Sequence, residues 1–296
     1  MTTKANIKHY GFNNKKFTFD RKKFSLIIPF LILTLLLVVV PLVFVFVKSF
    51  IPVEGYGVDE NFNFMFNDGY IFGKIFLSIF VAIVATIFCI ILAYPFTYIL
   101  SQAKNKLFQT IIILVATAPI WTSFLVKLVG LKTFFDVMYG YKNSTFGIIF
   151  TIIGLVYLYI PFMLAPLYTS LVNMPKNLIW ASYDMGHGPI TTFFKVILPY
   201  TFAALMSGIT LVFLPSVTTV AVPQFLNSSS DGNLIGDIIV NEGSIAQTSE
   251  IALARVSSLS MVLLLILTIG YVGIVYGKKL YKYVMNRIKE KRLESC

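Results

Sequence analysis

The sequence predicts an all-α integral membrane protein with six transmembrane helices, and two observations carry this prediction. Hydrophobic residues make up 57% of the chain and charged residues only 12%, whereas soluble domains contain about 25% charged residues. The apolar residues are also grouped into long blocks, and a helix that spans a bilayer needs about 20 consecutive, mostly apolar residues. The six blocks are residues 26–47, 75–98, 107–126, 147–168, 196–214 and 256–276.

The first block is predicted to be a retained membrane helix rather than a cleaved signal peptide. A polar, basic segment at residues 1–24 precedes it. No small-residue cleavage site of the kind found after signal peptides follows it. Pro29 and Pro41 are predicted to kink or bound this helix, because proline removes a backbone hydrogen bond.

The second and third blocks are predicted to form two helices joined by the short polar segment 101–106. The second helix is predicted to end near Tyr94–Phe96, where Pro95 interrupts the apolar run. The third is predicted to end between Ala118 and Lys127. A lysine at the bilayer centre costs about 2.5–3.5 kcal/mol. We therefore expect the Lys127 ammonium to reach water at the outer end, and we prefer this to the alternative that it contacts substrate.

The fourth and fifth blocks are interrupted by prolines. Pro161 and Pro166 lie within the fourth block. A broken helix exposes carbonyls that can line a transport pathway, whereas a kink is purely structural, and the sequence leaves both interpretations open. The fifth helix is predicted to end at Leu214–Pro215. The segment 217–222 is predicted to form a shallow outer hairpin, and a small helix is predicted at 233–241.

The distribution of charge predicts that both termini face the cytoplasm. Six spans place both ends on one side, and cytoplasmic loops carry an excess of lysine and arginine. The net charge is +11, with the basic residues mainly in the tails and predicted inner loops and the acidic residues in the predicted outer loops. The basic set is Lys4, Lys8, Lys15, Lys16, Arg21, Lys22, Lys23, Lys104, Lys106, Lys176, Lys195, Lys278, Lys279, Lys282, Arg287, Lys289, Lys291 and Arg292. The acidic set is Glu54, Asp59, Glu60, Asp68, Asp136, Asp231, Asp237, Glu242 and Glu250.

The predicted organisation is therefore a multi-pass protein of the plasma membrane with three parts. A basic cytoplasmic tail at 1–24 and another at 281–296 flank a six-helix transmembrane domain at 25–280. We expect the tails to contact anionic membrane lipid and not nucleic acid. A cytoplasmic loop at 173–195 interrupts the domain.

The sequence contains no pattern typical of an enzyme. Neither its histidines nor its cysteines form a cluster with acidic residues, so no metal site is predicted. The segment Gly69–Lys74 superficially resembles a phosphate-binding loop. It has three residues between its glycines where four are needed, and Ile75 takes the place of the metal-binding hydroxyl. We expect a non-catalytic chain with no cofactor of its own.

The loop at 173–195 predicts a short helix, a glycine break and a second helix that enters the membrane. Pro175 suits the first turn of a helix over Lys176–Met185, and Gly186 suits a left-handed cap at its end. Pro189 can begin the next helix, which is predicted to enter the membrane at Leu198–Pro199. The predicted exposed ridge consists of Ile179, Trp180, Tyr183 and Met185. Such a ridge either binds in a partner's groove or lies on lipid.

This segment resembles the cytoplasmic loop signature E-A-A-x3-G-x9-I-x-L-P of binding-protein-dependent ABC importer permeases. Trp180, Ala181 and Ser182 occupy the E-A-A positions, Gly186 the glycine, and Val196, Leu198 and Pro199 the closing positions. Trp180 and Ser182 depart from the signature. The chain also resembles the spermidine/putrescine branch of this family, B-type subunit, at residues 93–98, 121–123, 154–163 and 213–215.

The resemblance implies the fold of a type I ABC importer permease working by alternating access. It also implies a second, related permease, two ATPase subunits that bind ATP and Mg, and an extracellular substrate-binding protein. Related permeases that carry iron, phosphonate or thiamine share parts of these patterns. An ion-coupled secondary transporter is a further alternative, but its inverted repeats and midplane charges are not evident in the sequence.

The resemblance also directs attention to two sets of residues. The set expected to couple the chain to an ATPase is Ile179, Trp180, Ala181, Tyr183, Asp184, Gly186, Leu198 and Pro199. A polyamine is a flexible polycation, so its path is expected to offer aromatic faces and carboxylates. The candidates are Trp121, Tyr157, Tyr159, Asp136, Asp237 and Glu242. The aromatic residues equally fit the belts that membrane proteins place at the bilayer surface.

Overall fold

The computed structural model describes residues 21–52, 57–67, 69–139, 146–227 and 234–294. Helices make up the regular structure of these ranges, and no β-strand occurs within them. Five helices are long and apolar enough to cross a membrane, and there are six such spans if one bent pair of helices counts as a single span. These elements overlap the six predicted blocks, which confirms the all-α membrane fold. Glu54, Asp68 and Asp231 and the residues before Arg21 lie outside the described ranges.

The described part of the N-terminal unit, which extends to Val47, is one continuous helical span with a widened turn. Helix α1 covers Arg21–Thr34 and α2 covers Val40–Ser49, with a π-helical turn at Leu35–Val39 between them. Pro29 lies inside α1 without ending it. From Ile28 to Val47 nearly every residue is a large apolar one, as expected for a helix that crosses a membrane.

Three long helices form the centre of the second unit. They are α4 (Tyr70–Gln102), α7 (Gly147–Val172) and α10 (Leu198–Thr218). Small residues allow their backbones to approach closely. A Cβ atom at Gly208 of α10, for example, would lie only 2.5 Å from the Met163 sulfur of α7. The buried core along the three helices includes Ala85, Ala93, Leu155, Leu158, Met163, Leu167 and Val212.

Two of these helices run past prolines that were predicted to end them. Helix α4 continues through Pro95 to Gln102, and α10 continues through Pro215 to Thr218, so both predicted ends are wrong. A proline within a helix costs roughly 3 kcal/mol, but a chain that left the helix in lipid would strand many more backbone groups. Similarly, α7 runs unbroken through Pro161 and Pro166, which favours the structural interpretation of these prolines.

The third predicted span is broken rather than straight. Helix α5 (Lys106–Thr117) passes into a 3₁₀ turn, Ala118–Trp121, and α6 (Phe124–Tyr139) then leaves at 96° to it. The Lys127 ammonium donates a hydrogen bond to the Pro119 carbonyl, with an N–O distance of 2.7 Å. Lys127 is partly exposed, so the expectation that its ammonium reaches water stays a prediction, and the bond to Pro119 adds a contact across the bend that was not predicted.

Short helices cover the predicted outer ends of the spans. Helix α3 (Glu60–Asn67) was not predicted, and its Asn61 carbonyl accepts a hydrogen bond from Ser258 Oγ at 2.6 Å. Two further short helices are α11 (Ala221–Leu226) and α12 (Ile235–Ile245). Helix α12 confirms the small helix predicted at 233–241. The predicted hairpin at 217–222 is instead the end of α10 and the start of α11.

The last helix, α13, is much longer than the predicted span at 256–276. It runs over Glu250–Glu294, and its apolar, membrane-crossing part is Glu250–Gly273. The helical backbone therefore continues through most of the predicted C-terminal tail.

Candidate functional site at the α8 elbow

The segment between α7 and α10 folds into a short helix, a sharp corner and a second helix, as predicted. Helix α8 covers Lys176–Asp184, directly after Pro175, whose carbonyl accepts a hydrogen bond from the Leu178 N–H at 3.1 Å. Helix α9 covers Pro189–Thr192 and passes into a π-helical turn at Phe193–Ile197 that leads into α10. We call residues 185–188, which connect α8 to α9, the elbow.

Gly186 closes α8 in the predicted left-handed conformation, with a φ of 78°. The Gly186 N–H donates to the Tyr183 carbonyl at 2.8 Å, and the His187 N–H donates to the Ser182 carbonyl at 3.2 Å. These two bonds form the Schellman motif, which satisfies the last carbonyls of a helix and turns the chain sharply. A positive φ strains any residue with a Cβ atom, so the glycine is needed here for its backbone geometry.

The two faces of α8 differ strongly in exposure. Trp180 is 67% exposed, and Tyr183 and Met185 are also exposed, as predicted for the ridge. Ala181 and Asp184 lie on the exposed surface as well. Ile179 is only 9% exposed, so its predicted place on the exposed ridge is wrong. Ile179 and Ser182 are three residues apart, which places them on the same helix face, and that face is turned inward.

Ile179 anchors α8 to the membrane-spanning part of the chain. It belongs to a buried apolar cluster that also contains Leu171 near the end of α7, Met174 just after that helix, and Ile197 from the π turn. The partly buried Leu198 packs against the same cluster. Ile179 therefore contributes to the site by fixing the position of α8, while the exposed side chains of α8 remain available to a partner.

The widened turn before α10 has a local cause in the Leu198–Pro199 pair. Pro199 has no N–H, and its ring would clash with the carbonyl four residues earlier, at Lys195. The Leu198 N–H instead donates to the Phe193 carbonyl, five residues earlier. The same arrangement occurs at Pro41, where the Val40 N–H donates to the Leu35 carbonyl. In both places, the proline stands two residues after the end of a π-helical turn.

The far side of the π turn is joined to α4. The Tyr94 and Phe193 rings meet edge to face, with their centroids 5.0 Å apart. The Tyr94 hydroxyl also forms a hydrogen bond with the Thr201 hydroxyl, and both residues are buried. Sequence reasoning did not identify Tyr94, Thr201 or Thr192 as site residues. The signal that could have identified them is a polar hydroxyl within an apolar run.

The candidate aromatic path residues differ in accessibility. Trp121 is 80% exposed at the end of the 3₁₀ turn. Tyr157 is exposed on α7, whereas Tyr159 is partly buried. Residues two apart on an α-helix are separated by roughly 200° around its axis, so one side of α7 does not present both tyrosine rings.

The three candidate carboxylates also differ. Asp237, in the first turn of α12, is only 3% exposed and accepts a hydrogen bond from Gln224 Nε2. It therefore does not offer the accessible carboxylate that was expected. Asp136 on α6 and Glu242 on α12 are partly exposed.

Most of the chain, including the elbow, is similar to known membrane transport proteins. Residues 73–279 match the family described as the binding-protein-dependent transport system inner membrane component. Several curated relatives carry the name of spermidine/putrescine transport system permease protein PotB or its homolog. The Mycoplasma pneumoniae protein is 37% identical over 90% of this chain and 96% of its own length. The Mycoplasma genitalium protein is 35% identical over 91% and 97%, and the Escherichia coli protein is 32% identical over 58% and 66%.

Proposed function

This chain belongs to the family of inner membrane components of binding-protein-dependent transport systems, and from that premise we propose that it is the permease subunit of an ATP-driven importer of spermidine and putrescine. The substrate is supported by the names of two relatives that match nearly their whole length. The single observation that supports the mechanism is the α8 elbow, because it presents exposed aromatic side chains on a helix that is anchored to α7 and α10.

Helix α8 docks into a groove of an ATPase subunit. Trp180 and Tyr183 supply the anchoring rings, since buried aromatic residues commonly dominate the energy of protein interfaces. Ala181 and Asp184 lie on the same exposed surface and complete the contact. ATP and Mg are bound by the ATPase and not by this chain, whose part is to receive the displacement that ATP binding produces.

The working assembly contains this chain, a second related permease, two ATPase subunits and an extracellular substrate-binding protein. Both termini lie in the cytoplasm, on the side of α8, and the basic tails contact anionic lipid there. Movement of α8 is transmitted through the elbow to α10, which packs against α4 and α7. The spans then alternate between inward-facing and outward-facing arrangements.

The substrate path uses the accessible members of the candidate set. A polyamine ammonium is attracted to the faces of aromatic rings, and Trp121 and Tyr157 expose such faces. Asp136 and Glu242 offer partly exposed carboxylates. Tyr159 and Asp237 act indirectly. Tyr159 packs against the buried apolar core, and Asp237 holds α12 through its hydrogen bond with Gln224.

The proposal is tested by reconstituting the chain in proteoliposomes with the permease, ATPase and binding protein that are encoded beside it. We expect ATP-dependent uptake of labelled spermidine or putrescine, and faster ATP hydrolysis when the loaded binding protein is added. Uptake of only iron, phosphonate or thiamine would replace the substrate but keep the permease role. Uptake by the isolated chain, driven by an ion gradient and without an ATPase, would overturn the proposal.

A further inference from the structure

A buried pair of hydroxyl groups joins the two arms of the elbow. Ser182 Oγ, on the inward face of α8, lies 2.9 Å from Thr192 Oγ1, at the end of α9. Ser182 is 1% exposed and Thr192 is fully buried. Because Gly186 turns the chain between them, the bond closes the inner side of the corner. We call this hydrogen-bonded pair the clasp.

Because both hydroxyls of the clasp are buried, losing either one should destabilise the elbow. A hydroxyl that is buried without water depends on the protein for its hydrogen bonds. Removing one hydroxyl of the pair leaves the other in the same buried place with that partner missing, which is worse than losing the bond alone. The clasp is also specific to the residue found here, since an alanine at position 182, as in the family signature, has no hydroxyl.

Other contacts support the same corner from both sides. The Schellman motif fixes the backbone at Gly186, and Ile179 and Ile197 belong to the same buried apolar cluster. On the outer side, the Lys195 ammonium lies 3.3 Å from His187 Nε2. The glycine therefore gives the elbow its shape, while the surrounding contacts remove the freedom that a glycine would otherwise allow.

We infer that Ser182 and Thr192 are positioning residues that hold α8 at a fixed angle to α10, so that a displacement of α8 is delivered to α10 and not absorbed at the elbow. This inference rests on the proposed docking of α8 to an ATPase. Thr192 directly precedes the π turn, and the π turn leads to Thr201 and its bond with Tyr94. Buried contacts thus connect α8 to α4 through the start of α10.

The test compares Ser182→Ala, Thr192→Val and the double variant in the reconstituted full assembly, and measures the number of substrate molecules taken up per ATP hydrolysed. We expect each single variant to lower this ratio at least about fivefold, because the bond is lost and the remaining hydroxyl stays buried without that partner. The double variant should fall no further than the single variants, because all three lack the same bond. Thr192→Ser, which keeps the hydroxyl, should retain most of the wild-type uptake per ATP.

Ser216→Ala is the matched control. Ser216 is equally buried, lies on α10 and donates only within its own helix, to the Val212 carbonyl at 2.6 Å. Its loss should leave the uptake ratio unchanged. The abundance of each variant and the amount of ATPase that co-purifies with it identify variants that fail to assemble. If Thr192→Val fails in this way, Ser182→Ala still decides the question.

A second measurement does not depend on transport. Spin labels on the exposed residues Asn177 of α8 and Leu211 of α10 should show a broader distance distribution in Ser182→Ala than in the unmodified clasp. An unchanged distribution together with an unchanged uptake ratio would overturn the positioning role. If the wild-type assembly hydrolyses ATP without uptake, or binds no ATPase, the proposed function fails instead, and the coupling role of the clasp fails with it.

Discussion

The Tyr94 hydroxyl donates its hydrogen bond to the Thr201 hydroxyl, because Thr201 already donates its own proton to the Ile197 carbonyl at 2.9 Å. The donor lies on α4 and the acceptor at the start of α10, and both side chains are buried. With this direction of the bond, losing one hydroxyl should cost more stability than losing the other. Loss of the tyrosine hydroxyl leaves Thr201 satisfied, whereas loss of the threonine hydroxyl leaves a buried donor without its partner.

The inequality predicts different stabilities for two conservative variants. Tyr94→Phe keeps the ring against Phe193 and should lower the free energy of unfolding by about 1 kcal/mol. Thr201→Val should lower it by about 1–3 kcal/mol, because the Tyr94 hydroxyl stays buried and unpaired. Thermal unfolding of the purified protein in detergent measures both. A larger effect for Tyr94→Phe than for Thr201→Val would contradict the assigned direction of the bond.

Alanine substitution of the two elbow glycines should reveal the cost of backbone strain, because a new Cβ atom would meet no neighbour at either position. No heavy atom lies within 4 Å of a Cβ atom built on Gly186 or on Gly188. Gly186 has a φ of 78° and Gly188 a φ of −70°. Gly186→Ala should therefore destabilise the fold by roughly 1–2 kcal/mol through strain, whereas Gly188→Ala should be close to neutral.

Thermal unfolding of Gly186→Ala beside Gly188→Ala tests this difference, and Gly186→Asn provides a third point. Asparagine adopts left-handed conformations more readily than alanine does, so it should recover part of the lost stability. Equal stabilities for Gly186→Ala and Gly188→Ala would show that the positive φ carries no cost at this elbow.

Trp180 is expected to dominate the contact with the ATPase. Truncation of an aromatic anchor at the centre of an interface costs about 2 kcal/mol or more, so Trp180→Ala should weaken ATPase binding by roughly 30-fold or more. Titration of the ATPase onto detergent-solubilised permease measures the change. Val137→Ala, an exposed apolar residue of α6, serves as the control. Retention of full affinity by Trp180→Ala would remove this residue from the docking surface.

The bend between α5 and α6 should depend on Lys127. Its ammonium bonds the Pro119 carbonyl at 2.7 Å, and a hydrogen bond to a charged group is worth about 1.5–3 kcal/mol. Lys127→Met should lower the unfolding temperature, and Lys127→Arg, which keeps a charged donor, should lower it less. If both variants have the same unfolding temperature as the wild type, other contacts hold the bend.

The parts of the fold that were predicted correctly depend on local physical rules. The six spans follow from the length of apolar blocks, and Gly186 and Pro189 mark the elbow because their backbone preferences are strong. The predicted ends at Pro95 and Pro215 are wrong because, in lipid, leaving the helix is less favourable than losing one hydrogen bond. Ile179 was misplaced because α8 is too short for its periodicity to distinguish the inward face.

The contacts that define the candidate site lie beyond such rules. Ser182 and Thr192 are ten residues apart, and their hydroxyls meet only because the elbow brings two helices together. The bond between Tyr94 and Thr201 likewise depends on how α10 packs against α4. Lys127 finds the Pro119 carbonyl because the chain bends between them, and the sequence alone suggested a straight span there.

The proline at the start of α10 sets the rotational phase of that helix. The widened turn advances the chain by one extra residue, so α10 is rotated by about 100° from where a regular helix would place it. In this phase, Thr201 meets Tyr94 of α4 and Gly208 meets Met163 of α7. The buried residues of α10 are Thr201, Leu205, Gly208, Val212, Ser216 and Val217. Pro199→Ala would allow the turn to tighten and would swing Gly208 away from Met163, replacing the closest approach of α10 and α7 with bulkier neighbours. Pro199, in the first turn of α10, thus determines which residue of α10 packs against Met163 more than two turns farther along the helix.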